Sequence, residues 1–222
     1  MVKLTVYANS TRFFDCDSTL VQIEGIVELA RLKGKAEEIA TVTEQAMSGQ
    51  IELSEVFSKR LAIIQPTIQD LEFLGDLYCQ NLTLGAKEAV TKLQQLGKQV
   101  YILSAGYRLA IEILANYLAI PKVNVFAVDL QFDDVGRYQG LNSNQLLIKS
   151  TGKKELLQDL GLDLSTVAMV GDGANDLATQ EVVKLFIGFQ GGRINDWLQQ
   201  RARVFVAGNS LLPVVDLIVN CV

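Results

Sequence analysis

Two aspartates two positions apart, Asp15 and Asp17, follow the aromatic pair Phe13 and Phe14 and precede Ser18, Thr19 and Leu20. In an extended chain side chains alternate, so both acids leave the backbone on one side and Cys16 on the other. Carboxylates placed this way suit a metal ion and a phosphoryl group, although Asp and Ser are also ordinary turn residues. A second acidic pair weighs against a simple turn. In Gly171-Asp172-Gly173-Ala174-Asn175-Asp176 the glycines allow a tight turn and a close backbone approach to a ligand. The two acids, four apart, fall on adjacent faces of a starting helix, where Asp172 or Asn175 would serve equally as a cap. Ser104, after an apolar strand, and Lys153, before a helical run, complete the set. Each also has a plain reading, Ser104 as a turn residue and Lys153 as half of a solvated Lys153-Lys154 pair.

The chain has no histidine. Ser-His-Asp and Cys-His nucleophile systems are therefore excluded, as are histidine-containing zinc sites. Gathered carboxylates repel one another, so a cation is the economical reason to bring them together, and an all-oxygen set suits Mg2+. A lysine and a serine hydroxyl beside such a cation suit a phosphoryl group, whose charge is handled by positioning and electrostatics. The 222 residues, 49% hydrophobic, suffice for one substantial core with or without a smaller appended domain. A net charge of -5 without blocks of like charge argues against a nucleic-acid partner. The opening residues lack the features of a secretory signal. Leu211–Val222 is broken by Pro213, Asp216 and Asn220, so neither a membrane span nor a membrane partner is expected, and a cytoplasmic location is. Cys16, Cys79 and Cys221 have no ligand-like spacing and are expected as reduced thiols.

The elements that must position these groups follow from periodicity. The first firm strand is expected at Arg12–Asp15, with Lys3–Ser10 as a short extra strand or a frayed start. Ile23, Ile26, Val27, Leu29 and Ala30 recur with helical spacing, as do Val56, Leu61, Ile63 and Ile64. Gly34, Gly49 and Gln65-Pro66 divide that region into about four helices. From Leu84-Gly85 onward, helices at Ala86–Leu96, Tyr107–Leu118, Lys153–Leu160, Ile194–Gln200 and Leu211–Val219 alternate with strands. The strands are expected at Val100–Leu103, Val123–Val128, Thr166–Val170, Leu185–Ile187 and Val204–Val206, with a hairpin tip within Phe132–Gly140. This is the pattern of an α/β, Rossmann-like parallel sheet with helices on both faces and right-handed crossovers. Ligands in such sheets bind outside the carboxyl ends of the strands, where all four polar clusters fall.

Asp-X-Asp-Ser-Thr after a hydrophobic strand, a serine after the second strand, a lysine, and Gly-Asp-Gly-Ala-Asn-Asp resemble the four motifs of the haloacid dehalogenase (HAD) superfamily of phosphotransferases. The likeness extends through Glu24-Gly25-Ile26, Glu44-Gln45-Ala46-Met47-Ser48-Gly49, Arg60-Leu61-Ala62-Ile63-Ile64-Gln65-Pro66 and Phe186-Ile187-Gly188-Phe189, and within the superfamily it is similar to members that hydrolyse L-phosphoserine. The resemblance implies a HAD-like core from residues 1–19 and 84–222 with an inserted helical cap at 20–83. It implies Asp15 as the nucleophile that becomes an aspartyl-phosphate and Asp17 as the acid and base. Mg2+ would be held by Asp15, the Asp17 carbonyl and Asp172, with Asp176 in support. Ser104, Ala105, Lys153 and Asn175 would contact or orient the phosphoryl group, and Glu24 and Arg60 the substrate's amino and carboxylate groups. The implied partner is a small phosphomonoester, and monomer and homodimer both fit. Ala105 stands where the family usually has glycine, Leu84 where it has proline, and Val128-Asp129 where it has Asn-Arg. The last departure leaves another small phosphate, such as phosphohomoserine or a sugar phosphate, open as substrate. A signalling receiver module would gather similar groups, but it has no helical insert after the first strand.

Overall fold

β1 (Thr11–Phe14) is buried along its whole length, as the centre of a parallel sheet requires. Its one charged residue, Arg12, is held by Nη1, which donates to the Thr11 and Thr166 carbonyls at 3.0 and 2.9 Å, and burial lowers its pKa to about 10. A computed structural model describes residues 11–47, 53–191 and 196–221 of the chain. The sheet continues with β2 (Gln99–Tyr107), β3 (Val125–Val128), β6 (Ala168–Gly171), β7 (Leu185–Gln190) and β8 (Val204–Ala207), while β4 (Leu130–Phe132) and β5 (Tyr138–Leu141) form a separate antiparallel hairpin. Strand order is β3-β2-β1-β6-β7-β8, every pair parallel. The chain thus moves outward from β1 in one direction, then returns and moves outward in the other. That reversal leaves a crevice at the carboxyl ends of β1 and β6.

Side-chain alternation sorts the core into two faces. Phe14, Ile102, Val170 and Ile187 pack under α5 (Ala86–Gln95), α6 (Arg108–Tyr117) and α10 (Leu212–Cys221). Phe13, Tyr101, Leu103, Met169 and Phe186 pack with Leu157 of α7 (Gly152–Asp159) and Leu198 of α9 (Asp196–Gln199) on the other, the short α8 (Ala174–Leu177) coming between these two helices in the chain. Between β1 and α5 come α1 (Gly25–Leu32), α2 (Ala36–Met47), α3 (Leu53–Ile64) and α4 (Ile68–Gln80). α4 starts with a capping box, in which Thr67 Oγ1 accepts from the Asp70 amide and Asp70 Oδ2 from the Thr67 amide. Leu61, Ile64, Leu71, Leu74 and Tyr78 of these helices join the same apolar cluster as the sheet. The two connections to the helical segment lie side by side, the Gln22 amide donating to Asn81 O at 2.9 Å and the Thr83 amide to Leu20 O at 3.0 Å.

The main difference from the sequence reading is at β2, which runs on to Tyr107 instead of stopping at Leu103. Its register against β3 shifts between Leu103 and Tyr107, so Ser104, Ala105 and Gly106 bulge out of the ladder at the sheet's carboxyl edge. Other boundaries move by a few residues, and the hairpin tip falls at the turn closed by the Gly136 amide on Asp133 O. Cys16 and Cys79 are free thiols, Cys16 buried. The expectations for Lys3–Ser10, the break at Gly49, the start of the helix at Ile194 and the Cys221 thiol lie outside the described residues and side chains.

Candidate active site

Asp15 directly follows β1 and is still tied to the sheet, its amide donating to Val170 O at 2.9 Å. The chain then turns tightly through residues 16–20, with Ser18 in the left-handed region at φ 54, a strained conformation of the kind found at functional turns. Asp15 Oδ1 accepts from the Cys16 amide at 2.7 Å and pairs with Lys153 Nζ at 2.9 Å. Lys153, at the start of α7, is 1% exposed and also donates to Asp176 Oδ1 at 2.6 Å. Burial alone would pull its pKa down, but Asp15 and Asp176 outweigh that and push it up. The plain reading of Lys153 as a solvated residue is therefore incorrect; Lys154 is the one that pairs outward, with Glu181.

After β6 the chain approaches this centre so closely that a Cβ on Gly171 would lie 2.2 Å from Asp176 Cγ. Asp176 Oδ2 accepts from the Gly173 amide at 3.0 Å, so the capping function expected of Asp172 or Asn175 falls to Asp176. Asn175 Oδ1 instead accepts from the Asp176 amide at 3.0 Å, and Thr19 Oγ1 donates to Asp172 Oδ1 at 3.4 Å. Carboxylate oxygens of Asp15, Asp172 and Asp176 lie within 4.8 Å of one another. Burial, then the charge of Asp15, raises the pKa of both later acids, that of Asp176 to about 7. Among the described residues, three crowded carboxylates with one buried ammonium between them form a donor set that fits a hard divalent cation.

Asp17 faces different neighbours. Burial and then the charge of Glu24 push it up to about 8, against the Tyr78 hydroxyl and the Gly25 amide, which pull it down. Glu24 is also raised by burial, opposed first by the Ser18 hydroxyl that donates to its Oε1. Arg60 on α3 donates from Nη2 to Thr43 Oγ1 at 2.6 Å. Burial lowers its pKa, while Tyr107 and Glu24 favour the charged form.

One cavity of about 230 Å³ is lined by Asp15, Asp17, Glu24, Arg60, Ser104, Ala105, Asp172 and Asn175. Lys153 and Asp176 sit directly behind Asp15, so the structure brings together every residue picked out from the sequence. It adds Ile26, Phe57, Tyr107, Leu147 and Ile148 to the walls. Of these only Ile26 belongs to a segment that carried the family resemblance. Only the three-residue spacing of Phe57 and Arg60 along α3 would have placed the two on one helical face. The departures at 84 and 128–129 lie elsewhere. Leu84 is 64% exposed and uses its carbonyl to accept from the Leu211 amide. Asp129 pairs at 2.6 Å with Arg108 Nε, outside the cavity lining.

Residues 11–180 match the family model of haloacid dehalogenase-like hydrolases. The chain is 38% identical over 196 residues to phosphoserine phosphatase of Drosophila melanogaster, covering 87% of this chain and 73% of that one. It is 36% identical over 195 residues to phosphoserine phosphatase of Bos taurus, covering 87% of each. A solved structure described as a phospho-aspartyl intermediate analogue of phosphoserine phosphatase superposes with a TM-score of 0.77 at 28% identity, over 94% of this chain and 98% of that one. Fold, site and sequence agree: the chain belongs to the haloacid dehalogenase-like hydrolases and, within that family, to the phosphoserine phosphatase group.

Proposed function

We propose that the protein hydrolyses L-phosphoserine to L-serine and phosphate through an aspartyl-phosphate on Asp15. The observation that carries this reading is the meeting, in one cavity, of the Asp15 centre with Glu24 and Arg60. A carboxylate and a guanidinium are the complements of the ammonium and carboxylate of an amino acid, and arginine grips a carboxylate through two parallel hydrogen bonds.

Lys153 and the Cys16 amide fix the orientation of Asp15. An oxygen of Asp15 forms the bond to phosphorus as the bond to the seryl oxygen breaks. Asp17, pushed up to about 8, keeps its proton at neutral pH and gives it to that leaving oxygen. It then takes a proton from the water that hydrolyses the aspartyl-phosphate, which returns both acids to their starting state. Ser104, the Ala105 amide and Lys153 hold the phosphoryl oxygens, and Asn175 orients the groups around them. Asp15, Asp172 and the Asp17 carbonyl would hold Mg2+, with Asp176 in support. When bound, the cation supplies charge neutralisation at the phosphoryl group. Residues 20–83 act as a cap that closes on the core and excludes water, a division supported by the paired connections at Leu20–Gln22 and Asn81–Thr83. No described helix is long and apolar enough to cross a membrane, which fits the cytoplasmic location proposed for a monomeric or homodimeric enzyme.

The test is phosphate release from a panel of small phosphomonoesters with magnesium present. L-Phosphoserine should give the highest kcat/KM; a sugar phosphate or phosphohomoserine ahead of it would overturn the substrate assignment and leave the chemistry intact.

A further inference from the structure

Asp17 Oδ1 is buried with no hydrogen-bond partner among the described residues, and so is the phenol oxygen of Tyr78. Tyr78 is wholly buried near the end of α4 and is not part of the cavity lining. A buried polar atom without a partner is destabilising, and two such atoms that face each other relieve one another by closing a single hydrogen bond. Tyr78 Oη stands at the start of α1, at residue 25, and each group shifts the other: the phenol pulls the Asp17 pKa down, and after burial the Asp17 charge pushes that of the phenol up. The phenol reaches that position only because residue 25 is glycine, since a Cβ there would lie 2.2 Å from Tyr78 Oη. The other carboxyl oxygen has a different neighbour. Asp17 Oδ2 lies 3.4 Å from where a Cβ on Gly106 would stand, and Gly106 lines the cavity. Hydrogen bonds of catalytic groups are often long before substrate binds and tighten in the complex.

We propose that Tyr78 is a positioning residue for Asp17. Its O–H donates to Oδ1 and holds the carboxyl in the rotamer that presents Oδ2, with its proton, to the leaving oxygen in the cavity. Oδ1 of the protonated acid is a carbonyl-type acceptor, so the phenol keeps its own proton throughout. This inference rests on Asp17 being the acid of the proposed reaction. It adds the group that aims that acid, a tyrosine that substrate never touches.

The test compares kcat/KM of Tyr78→Phe for two substrates with different needs. Phosphoserine leaves as an alkoxide and requires the proton, whereas p-nitrophenyl phosphate leaves as a stable phenolate and does not. kcat/KM reports steps up to phosphoryl transfer, so hydrolysis of the intermediate does not enter. A fall of about 10- to 100-fold for phosphoserine is expected, the size of losing a hydrogen bond to a catalytic carboxyl, with a change of about twofold or less for the aryl phosphate. Equal falls for both would make Tyr78 a packing residue, and no change for either would remove it from the mechanism; each overturns the proposal. If the phenylalanine variant does not fold, Gly25→Ala displaces the phenol oxygen without removing it from the protein, and the same selective loss is required of it. Should the unaltered protein turn over another alkyl phosphate but not phosphoserine, the substrate assignment fails, while the comparison repeated with that alkyl phosphate still decides the role of Tyr78.

Discussion

Replacing Lys153 with methionine removes one charge and little volume from the centre of the site. Its ammonium lies 2.9 Å from Asp15 and 2.6 Å from Asp176 with 1% of the side chain exposed. At an effective dielectric of about 20, each contact carries about 6 kcal/mol of Coulomb attraction, much of it offset by the desolvation of the buried charges. The repulsion is not offset once the lysine is gone, because oxygens of Asp15, Asp172 and Asp176 remain within 4.8 Å of one another. Losing one partner of a buried pair costs about 3–5 kcal/mol. In a chain of this size each kcal/mol lowers the melting midpoint by about 2–4 °C, so Lys153→Met should melt about 6–20 °C lower than the unaltered protein. The measurement is a circular dichroism melt at neutral pH in the presence of a chelator. Adding magnesium should raise the midpoint of the variant more than that of the unaltered protein, since the cation replaces the missing positive charge among the three carboxylates. Equal midpoints in chelator would show that the lysine does not neutralise the cluster, and the account of why these acids tolerate one another would be wrong.

Arg60→Ala should raise KM for phosphoserine far more than for an aryl phosphate, because only the amino acid presents a carboxylate; equal effects on the two would remove that contact. Arg108→Ala loses donors to Asp129, Val125 O and Ala127 O at 2.6, 2.8 and 3.1 Å, and should lower stability in urea by about 1–3 kcal/mol. It should leave turnover unchanged, because neither Arg108 nor Asp129 lines the cavity. Asp70→Ala removes half of the α4 capping box and should cost about 1 kcal/mol near pH 7. Burial alone would raise the Asp70 pKa, but Lys33 and the Thr67 donors outweigh it and hold the carboxyl below its ordinary range. A carboxylate depressed in the folded state stabilises above its unfolded pKa of about 3.9, and that contribution is lost as pH falls further. The urea midpoints of Asp70→Ala and the unaltered protein should therefore converge toward pH 3; a constant gap would place the effect in packing instead.

Most of the elements were legible because their apolar spacing is regular. β1 and β6 are continuous buried runs, and α5 and α6 carry one apolar stripe each. The end of β2 was not legible, for a physical reason. Ser104, Ala105 and Gly106 are small residues that read as a turn, yet the strand absorbs them as a bulge and resumes pairing at Tyr107. The bulge keeps the chain in the sheet while its residues line the cavity. The acidic motifs could be read because their chemistry is local, with the groups adjacent in sequence. What holds them in place is not local, since Lys153 meets Asp15 from far along the chain and Thr43 meets Arg60 from the neighbouring helix.

The departure at Val128-Asp129 shows where sequence reasoning about electrostatics fails. An aspartate in place of an arginine reverses a charge, and on the sequence alone that reversal threatens a pocket meant for an anion. In the fold, Asp129 is 61% exposed at the side chain and pairs with Arg108, whose two terminal nitrogens each donate to a backbone carbonyl of β3. The charge is neutralised locally and screened by solvent, so its effect on the cavity is small. Glu24, by contrast, lines the same cavity as Asp17, and after burial its charge is the largest influence raising the pKa of that acid. Motif matching weights both residues alike, although one lines the cavity that holds the reacting atoms and the other does not. A site residue is defined by that placement and by its partners, and both are properties of the folded chain.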